Sequence, residues 1–259
     1  MTRNALRYAS VATVLFVSHP TGAEGDIRLS TGVDYSTGKY GSSERTDMLY
    51  VPLIGKYEIG PLTLKVTVPY LRITGPGNVI GADRIVISTL PPGTSIPRRT
   101  ESGLGDIIGA VSYTVFQDGP SGTLVDLTGK IKFPTADANR GLGTGETDYA
   151  AQVDLYKRYT RVDAFASVGY RVMGDPPGVD FRNVWYGTVG GSSQFSATTV
   201  GIEYDYRQAV LGTSSPASEL TLYGLQRLGG PLRLQVYAVK GLTNGSPDWG
   251  AGVLLMATF

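Results

Sequence analysis

The sequence predicts an all-β chain, a 12-stranded antiparallel transmembrane β-barrel with long extracellular loops and short periplasmic turns. Three observations predict it. Apolar and polar residues alternate at period two through segment after segment, which sets one face of each strand in oil and the other in water. The segments number twelve, an even count that returns both ends to one side of a barrel, and their connections alternate between long loops and tight turns. Finally, the last residues, Asp248 to Phe259, put Trp249, Ala251, Val253, Leu255, Ala257 and Phe259 on one wholly apolar face. A strand that ends there leaves an open edge unless it is paired, and the first strand is the natural partner.

In chain order, residues 1–23 read as a secretory signal peptide. Arg3 and Arg7 form a basic start, Tyr8 to Val17 is a short apolar run, and Thr21 and Ala23 supply small residues for cleavage after Ala23. The run is much shorter than the roughly 20 residues a spanning helix needs. Residues 24–259 are then one domain, the barrel. Its first strand, Asp26 to Tyr35, opposes Ile27, Leu29, Thr31, Val33 and Tyr35 to Arg28, Ser30, Gly32 and Asp34. The second sets Leu49, Val51, Leu53 and Tyr57 against Tyr50, Pro52, Lys56 and Glu58, and turns at Gly60-Pro61 into the third, Thr63 to Ile73.

Thr74 to Gly103 reads as the longest loop. It carries four prolines, yet also Val79, Ile80, Ile85, Val86 and Ile87, and apolar residues in so long a loop need burial. The expectation is that it folds over or into the barrel mouth, with Ile85, Ile87, Arg98 and Arg99 at a constriction.

The fourth strand, Asp106 to Phe116, and the fifth, with Val125, Leu127, Ile131 and Phe133 opposing Asp126, Thr128, Lys130 and Lys132, join at Asp118-Gly119-Pro120. Pro134 to Glu146 reads as a flexible glycine-rich loop; Gly141 to Gly145 lacks the Lys-Ser/Thr of a phosphate loop. Strands six and seven alternate cleanly around Asp148 to Tyr156 and Val162 to Met173. The eighth, Asn183 to about Gly190, has no clear phase, because Val184-Trp185-Tyr186 is apolar on both faces. Strands nine to eleven place Glu203, Asp205, Arg207, Glu219, Tyr223, Arg227, Arg233 and Tyr237 on the inner face. Tyr35, Tyr57, Phe133, Tyr170, Trp249 and Phe259, at strand ends, suit aromatic girdles.

Composition removes several classes of function. The single histidine, His19, lies in the signal segment, so the mature chain lacks the base of a Ser-His or Asp-His hydrolase, and an enzyme is not expected. There is no cysteine, hence neither a disulfide framework nor thiolate chemistry, and no cofactor or metal is expected. Removal of Arg3 and Arg7 leaves a net charge of −1, with no basic face for nucleic acid.

The inner faces instead collect Arg28, Lys65, Lys130, Lys132, Arg158, Arg171, Arg207, Arg227 and Arg233 against Asp34, Asp126, Asp148, Asp154, Asp163, Glu203, Asp205 and Glu219. Nine charges against eight predict cross-lumen ion pairs and weak ion selectivity. Inward Tyr156, Phe165, Tyr223 and Tyr237 offer rings on which an aromatic solute stacks, or serve as packing.

Several motifs carry a resemblance. Ser102-Gly103-Leu104-Gly105-Asp106, Lys130-Ile131-Lys132-Phe133-Pro134-Thr135, Gly141-Leu142-Gly143-Thr144-Gly145 and Gly245-Ser246-Pro247-Asp248 resemble, in order and spacing, the outer-membrane transporter family of the MetA pathway of phenol degradation. The resemblance implies an outer-membrane transport protein of a Gram-negative bacterium, loosely linked to aromatic compounds. The terminal Phe259 also resembles the closing signature of outer-membrane proteins, which implies a barrel-assembly machinery that reads it. The expected function is passive uptake of small solutes, aromatic or hydrophobic ones included, with membrane lipid and the solute as partners. Two other readings stay open on sequence: a closed structural or adhesion barrel, and a soluble periplasmic β-sheet binding protein.

Overall fold

The computed structural model describes residues 25–76, 79–82, 85–88 and 97–259. The signal segment 1–23 and its cleavage site at Ala23 lie outside the described residues. Strands β1 (Asp26–Gly38), β2 (Thr46–Ile59) and β3 (Leu62–Pro76) are followed by a small hairpin, β4 (Val79–Ala82) and β5 (Ile85–Ser88), and by β6 (Arg98–Leu104). The wall continues through β7 (Ile107–Asp118), β8 (Thr123–Phe133), β9 (Asp148–Arg158), β10 (Val162–Val172) and β11 (Val184–Phe195). It finishes with β12 (Thr198–Arg207), β13 (Ala217–Gly229), β14 (Leu232–Gly241) and β15 (Trp249–Thr258).

Every neighbour in the wall is antiparallel, and the ring closes because β1 pairs with both β2 and β15. Ile27 and Phe259 exchange both backbone hydrogen bonds, at 3.1 and 2.8 Å, so the aromatic end of the chain is stitched to the first strand. Pairing satisfies the edge that would otherwise stand open, and a spanning sheet must do so because lipid supplies no hydrogen bonds.

Twelve strands make the barrel. β6 and β7 count as one, since both pair with β3 on the same side, β6 along Tyr70–Pro76 and β7 along Leu62–Thr67. This corrects the extent of the predicted loop, which was expected to run from Thr74 to Gly103. β3 reaches Pro76, Arg98–Leu104 is wall, and the stretch between them holds a hairpin. β6 escapes a reading based on alternation because Arg98-Arg99-Thr100-Glu101 stands above the apolar band, where both faces meet water.

The outer surface is an unbroken apolar band. Val33, Val253 and Val236 are direct cross-strand partners and all face outward, as do Leu64, Val66, Leu127, Val153, Val168, Val189, Ile202 and Leu222. A soluble protein does not leave a belt of this size in water, so its solvent is lipid. Aromatic residues rim the band. At the loop end Tyr35 packs on Trp249 with centroids 5.5 Å apart and Tyr170 on Trp185 at 5.0 Å; Tyr57, Tyr113, Tyr159 and Phe259 face outward at the turn end. Turn-end connections are tight, as at Gly60-Pro61, where Gly60 takes φ 54°.

The interior is polar and crowded, and glycine makes room for its rings. A Cβ on Gly252 would lie 2.4 Å from the Tyr237 ring, on Gly201 2.3 Å from Tyr223, on Gly169 2.4 Å from Tyr186 and on Gly190 2.4 Å from Phe165. Each of these four rings therefore lies over a glycine of the adjacent strand.

Candidate functional site

The register sorts the inward charges into slanting rows. Lys65 pairs with Ala110, Ala110 with Lys130, Lys130 with Ala150, and Ala150 with Arg171, so three cations alternate with two alanines around β3 to β10. The next row toward the turns runs Ser112, Thr128, Gln152, Gly169, Tyr186, Arg207. The row beyond holds Asp126, Asp154, Ser167, Thr188, Asp205 and Glu219. Because strands tilt in a barrel, these rows climb as they go round. Asp126 and Asp154 accordingly sit deep and buried, while Asp205 and Glu219 reach the level of the cations near the loop end.

At the turn end the lumen is filled. Arg28 lies 3.7 Å from Glu58, whose carboxylate also holds Lys56 at 2.6 Å, and all three are buried. Arg28 also donates to Thr258 Oγ1 across the seam that closes the ring, at 3.0 Å. Thr128 donates to Asp154 and Thr114 to Asp126, at 3.1 and 2.7 Å. Leu124, Tyr156 and Phe165 pack together there, while Tyr223, Tyr237, Val239 and Leu254 form a second cluster that rises along β13 to β15 to the cavity.

At the loop end the hairpin enters the mouth. Successive strand residues point in opposite directions, and Val86 and Ile87 do so from β5. Val86 is buried among Tyr40, Met48, Tyr50, Leu71, Ile73 and Leu142, the wall at β2 and β3. Ile87 is buried among Met173, Phe181, Val210 and Leu211, in the loops after β10 and β12, and Val184 at the start of β11. β2 and β11 stand six strands apart in a ring of twelve, so the hairpin is clamped between opposite walls.

Between hairpin and floor lies a cavity of about 260 Å³. Of the residues the sequence singled out, Lys65, Lys130, Lys132, Asp148, Arg171, Asp205, Arg207, Glu219, Tyr237 and Ile85 line it. Arg28, Asp126, Asp154, Tyr156, Glu203 and Tyr223 are instead buried in the packing below the cavity or beside it. Arg227 and Arg233 are cross-strand partners at the turn-end rim, away from the cavity.

Arg98 and Arg99 require correction. They are exposed wall residues of β6, where Arg98 bonds the Arg45 carbonyl and the Asp47 carboxylate and Arg99 lies 4.0 Å from Glu101. Ile87 packs among the loops above β11 instead of lining the space. Tyr186 was missed, because its strand had no readable phase. Its ring lines the cavity with Lys130 Nζ 5.4 Å and the Arg171 guanidinium 5.9 Å from its centroid, and the signal that finds it is the ring-sized gap over Gly169.

Three of the four motifs behind the family resemblance meet at one buried ionic cluster. Lys132 Nζ lies 3.4 Å from Asp106, 3.2 Å from Asp148 and donates to Thr144 Oγ1 at 2.6 Å. Asp106 accepts from the Ala136 amide and Asp148 from the Gly174 amide, both at 3.1 Å. Gly143 passes so close that a Cβ there would sit 2.7 Å from the Asp106 carboxylate. The glycine-rich loop expected to be flexible is therefore pinned to the wall: Leu142 is buried and Asp137 caps a 3-10 turn at Ala138–Arg140. On its outer side Glu101 accepts from Arg140 Nε at 2.8 Å, which raises the guanidinium pKa above its usual value. In the fourth motif, Ser246 Oγ ties the last loop to both backbone groups of Ser218. Among the described residues no group of three His, Cys, Asp or Glu side chains is placed to hold a metal ion.

No protein-family model and no curated protein matches the chain. Among solved structures, an outer membrane channel from Pseudomonas putida F1 matches with a TM-score of 0.70 at 14% identity, over 94% of this chain and 100% of that one. The P. putida toluene transporter TodX matches at 0.46 and 11% identity, over 91% and 89% of the two chains, and the monoaromatic hydrocarbon channel CymD at 0.42 and 9%, over 90% and 87%. The first of these carries the argument as far as architecture: the chain has the closed antiparallel barrel fold of a bacterial outer-membrane channel.

Proposed function

We propose that this protein is an outer-membrane channel for passive inward diffusion of small solutes, aromatic or hydrophobic compounds among them. The observation that carries the reading is the cavity itself. A barrel with a lipid-facing belt holds an ion-lined space with a hairpin at its loop end, docked through Val86 and Ile87. A purely structural barrel has no need of such a space. The likeness in fold to an outer membrane channel supports the same reading, and the hydrocarbon transport of TodX and CymD is consistent with an aromatic solute class. So does the resemblance of the motifs to the MetA-pathway transporter family. In this reading residues 1–23 are removed on export, Phe259 is recognised by the barrel-assembly machinery, and the long loops face outward from the cell.

The test is single-channel recording of the refolded mature protein beside a form lacking residues 79–88. The full chain should give small or infrequent openings and the shortened one larger, persistent openings. The buried layer of Arg28, Lys56 and Glu58 is the one feature that favours a closed structural barrel. Silence from both proteins, each folded and inserted, would select that alternative.

A further inference from the structure

We propose that the outward face of β2, β3 and β6 at the loop end binds a glycolipid of the outer leaflet that carries a phosphorylated sugar headgroup, with Arg72 on the phosphate. The inference rests on the reading that the loops face outward from the cell, which sets this face in the outer leaflet. Its basis is a change of residue type along one surface. Direct cross-strand partners share a face, and β3 and β6 pair Tyr70 with Leu104, Arg72 with Ser102 and Thr74 with Thr100. Tyr70 and Leu104, 44% and 60% exposed, end the apolar band in this sector. One step further toward the loops, the same two strands present a guanidinium and three hydroxyls. An apolar strip that passes into cationic, hydroxyl-bearing ground fits a lipid whose acyl chains lie along the first and whose charged sugar lies on the second.

Arg72 is the cation of this face that the protein leaves uncommitted. Arg45 pairs with Asp248 and Arg98 with Asp47, both at 3.1 Å, and Asp47 also accepts from the Tyr35 and Thr37 hydroxyls. Glu101 belongs to the other face of β6, where Arg140 takes it at 2.8 Å. Arg72 is exposed, its cross-strand neighbours are Leu49 and Ser102, and among the described residues its guanidinium has no ion pair or hydrogen bond. A guanidinium offers paired N–H donors that match the oxygens of a phosphate. A lipid-facing cation is also least costly at the membrane interface, and Arg72 stands there, two residues beyond Tyr70. The hydroxyls of Thr74 and Thr100, 2.9 Å apart, and of Ser102 suit the hydroxyl groups of a sugar.

The experiment uses three lipids: diphosphoryl lipid A, the same lipid with both phosphates removed, and phosphatidylglycerol. Each is added to the refolded mature protein in detergent, and bound lipid is counted by native mass spectrometry. Diphosphoryl lipid A should bind at least tenfold more tightly than either of the others. Arg72→Gln should weaken that binding at least fivefold, Arg72→Lys should weaken it less, and Arg161→Gln, in the turn between β9 and β10 at the opposite end of the barrel, should change nothing. Circular dichroism confirms that each variant is folded. Equal binding of the three lipids, displacement of lipid A by an equimolar amount of inorganic phosphate, or lipid A binding indifferent to Arg72→Gln would overturn the site. Orientation is tested separately. The chain has no cysteine, so Ser43→Cys, in the loop after β1, should be labelled by a membrane-impermeant maleimide on intact cells. Labelling without lipid A binding that depends on Arg72 would overturn this inference alone, whereas no labelling would overturn the outward orientation of the loops on which it rests.

Discussion

Replacing Val86 and Ile87 together by alanine should unlatch the hairpin without disturbing the barrel. Both side chains are buried, Val86 against β2 and β3 and Ile87 against the loops after β10 and β12 and the start of β11, while no wall strand depends on them for its hydrogen bonds. Val→Ala removes two carbons and Ile→Ala three, and each buried CH₂ contributes about 0.8 kcal/mol, so the docked hairpin loses about 4 kcal/mol relative to the released one. At about 1.4 kcal/mol per tenfold, the ratio of docked to released falls nearly a thousandfold. In planar bilayers the opening frequency should rise by about that factor, or the channel should stand open. Thermal unfolding of the barrel should stay close to that of the wild type, since the hairpin is an insertion into the mouth and not part of the ring. A folded double variant with unchanged opening frequency and conductance would refute the idea that these two contacts hold the mouth shut.

Three further outcomes follow from the same structure. Lys132→Met should strand Asp106 and Asp148, buried and without their cation, and so destabilise the protein by about 3–5 kcal/mol; proteolysis within residues 134–147 should accelerate, and an unchanged cleavage rate would separate that loop from the cluster. Gly252→Ala should drive a methyl group into the Tyr237 ring and cost about 1–3 kcal/mol in thermal or denaturant unfolding, whereas Gly129→Ala, with nothing within 4 Å of the new carbon, should be neutral or slightly stabilising. Val253→Arg, at mid-strand on the lipid face, should lower the free energy of folding into liposomes by about 2–4 kcal/mol; no loss would place that face out of the membrane.

The barrel is legible in the sequence because its wall obeys one rule. Each strand meets lipid on one side and the lumen on the other, so Leu127-Thr128-Gly129-Lys130-Ile131-Lys132 announces both its conformation and its facing. Where that rule lapses, so does the reading. Arg98–Leu104 lies above the lipid and does not alternate, and Val184-Trp185-Tyr186 presents large side chains on both faces. The aromatic Tyr186 can face inward only because Gly169 stands across from it, a fact about the neighbouring strand.

The same limit governs the site. Taken residue by residue, nine inward cations and eight acids describe a lumen with no field. Register makes it something else, because a charge matters by its row and by the height of that row. Asp126 and Lys130 are four residues apart on β8, yet the acid belongs to the row that is buried there and surfaces only at Asp205 and Glu219. The cation belongs to the row that opens onto the cavity at Lys65, Lys130 and Arg171. A tilted barrel thus buries one part of a balanced composition and opens another part onto the cavity. Which groups a solute meets in such a chamber depends on shear as much as on composition: shifting one strand's register by two residues would move its charges into another row, with no residue changed.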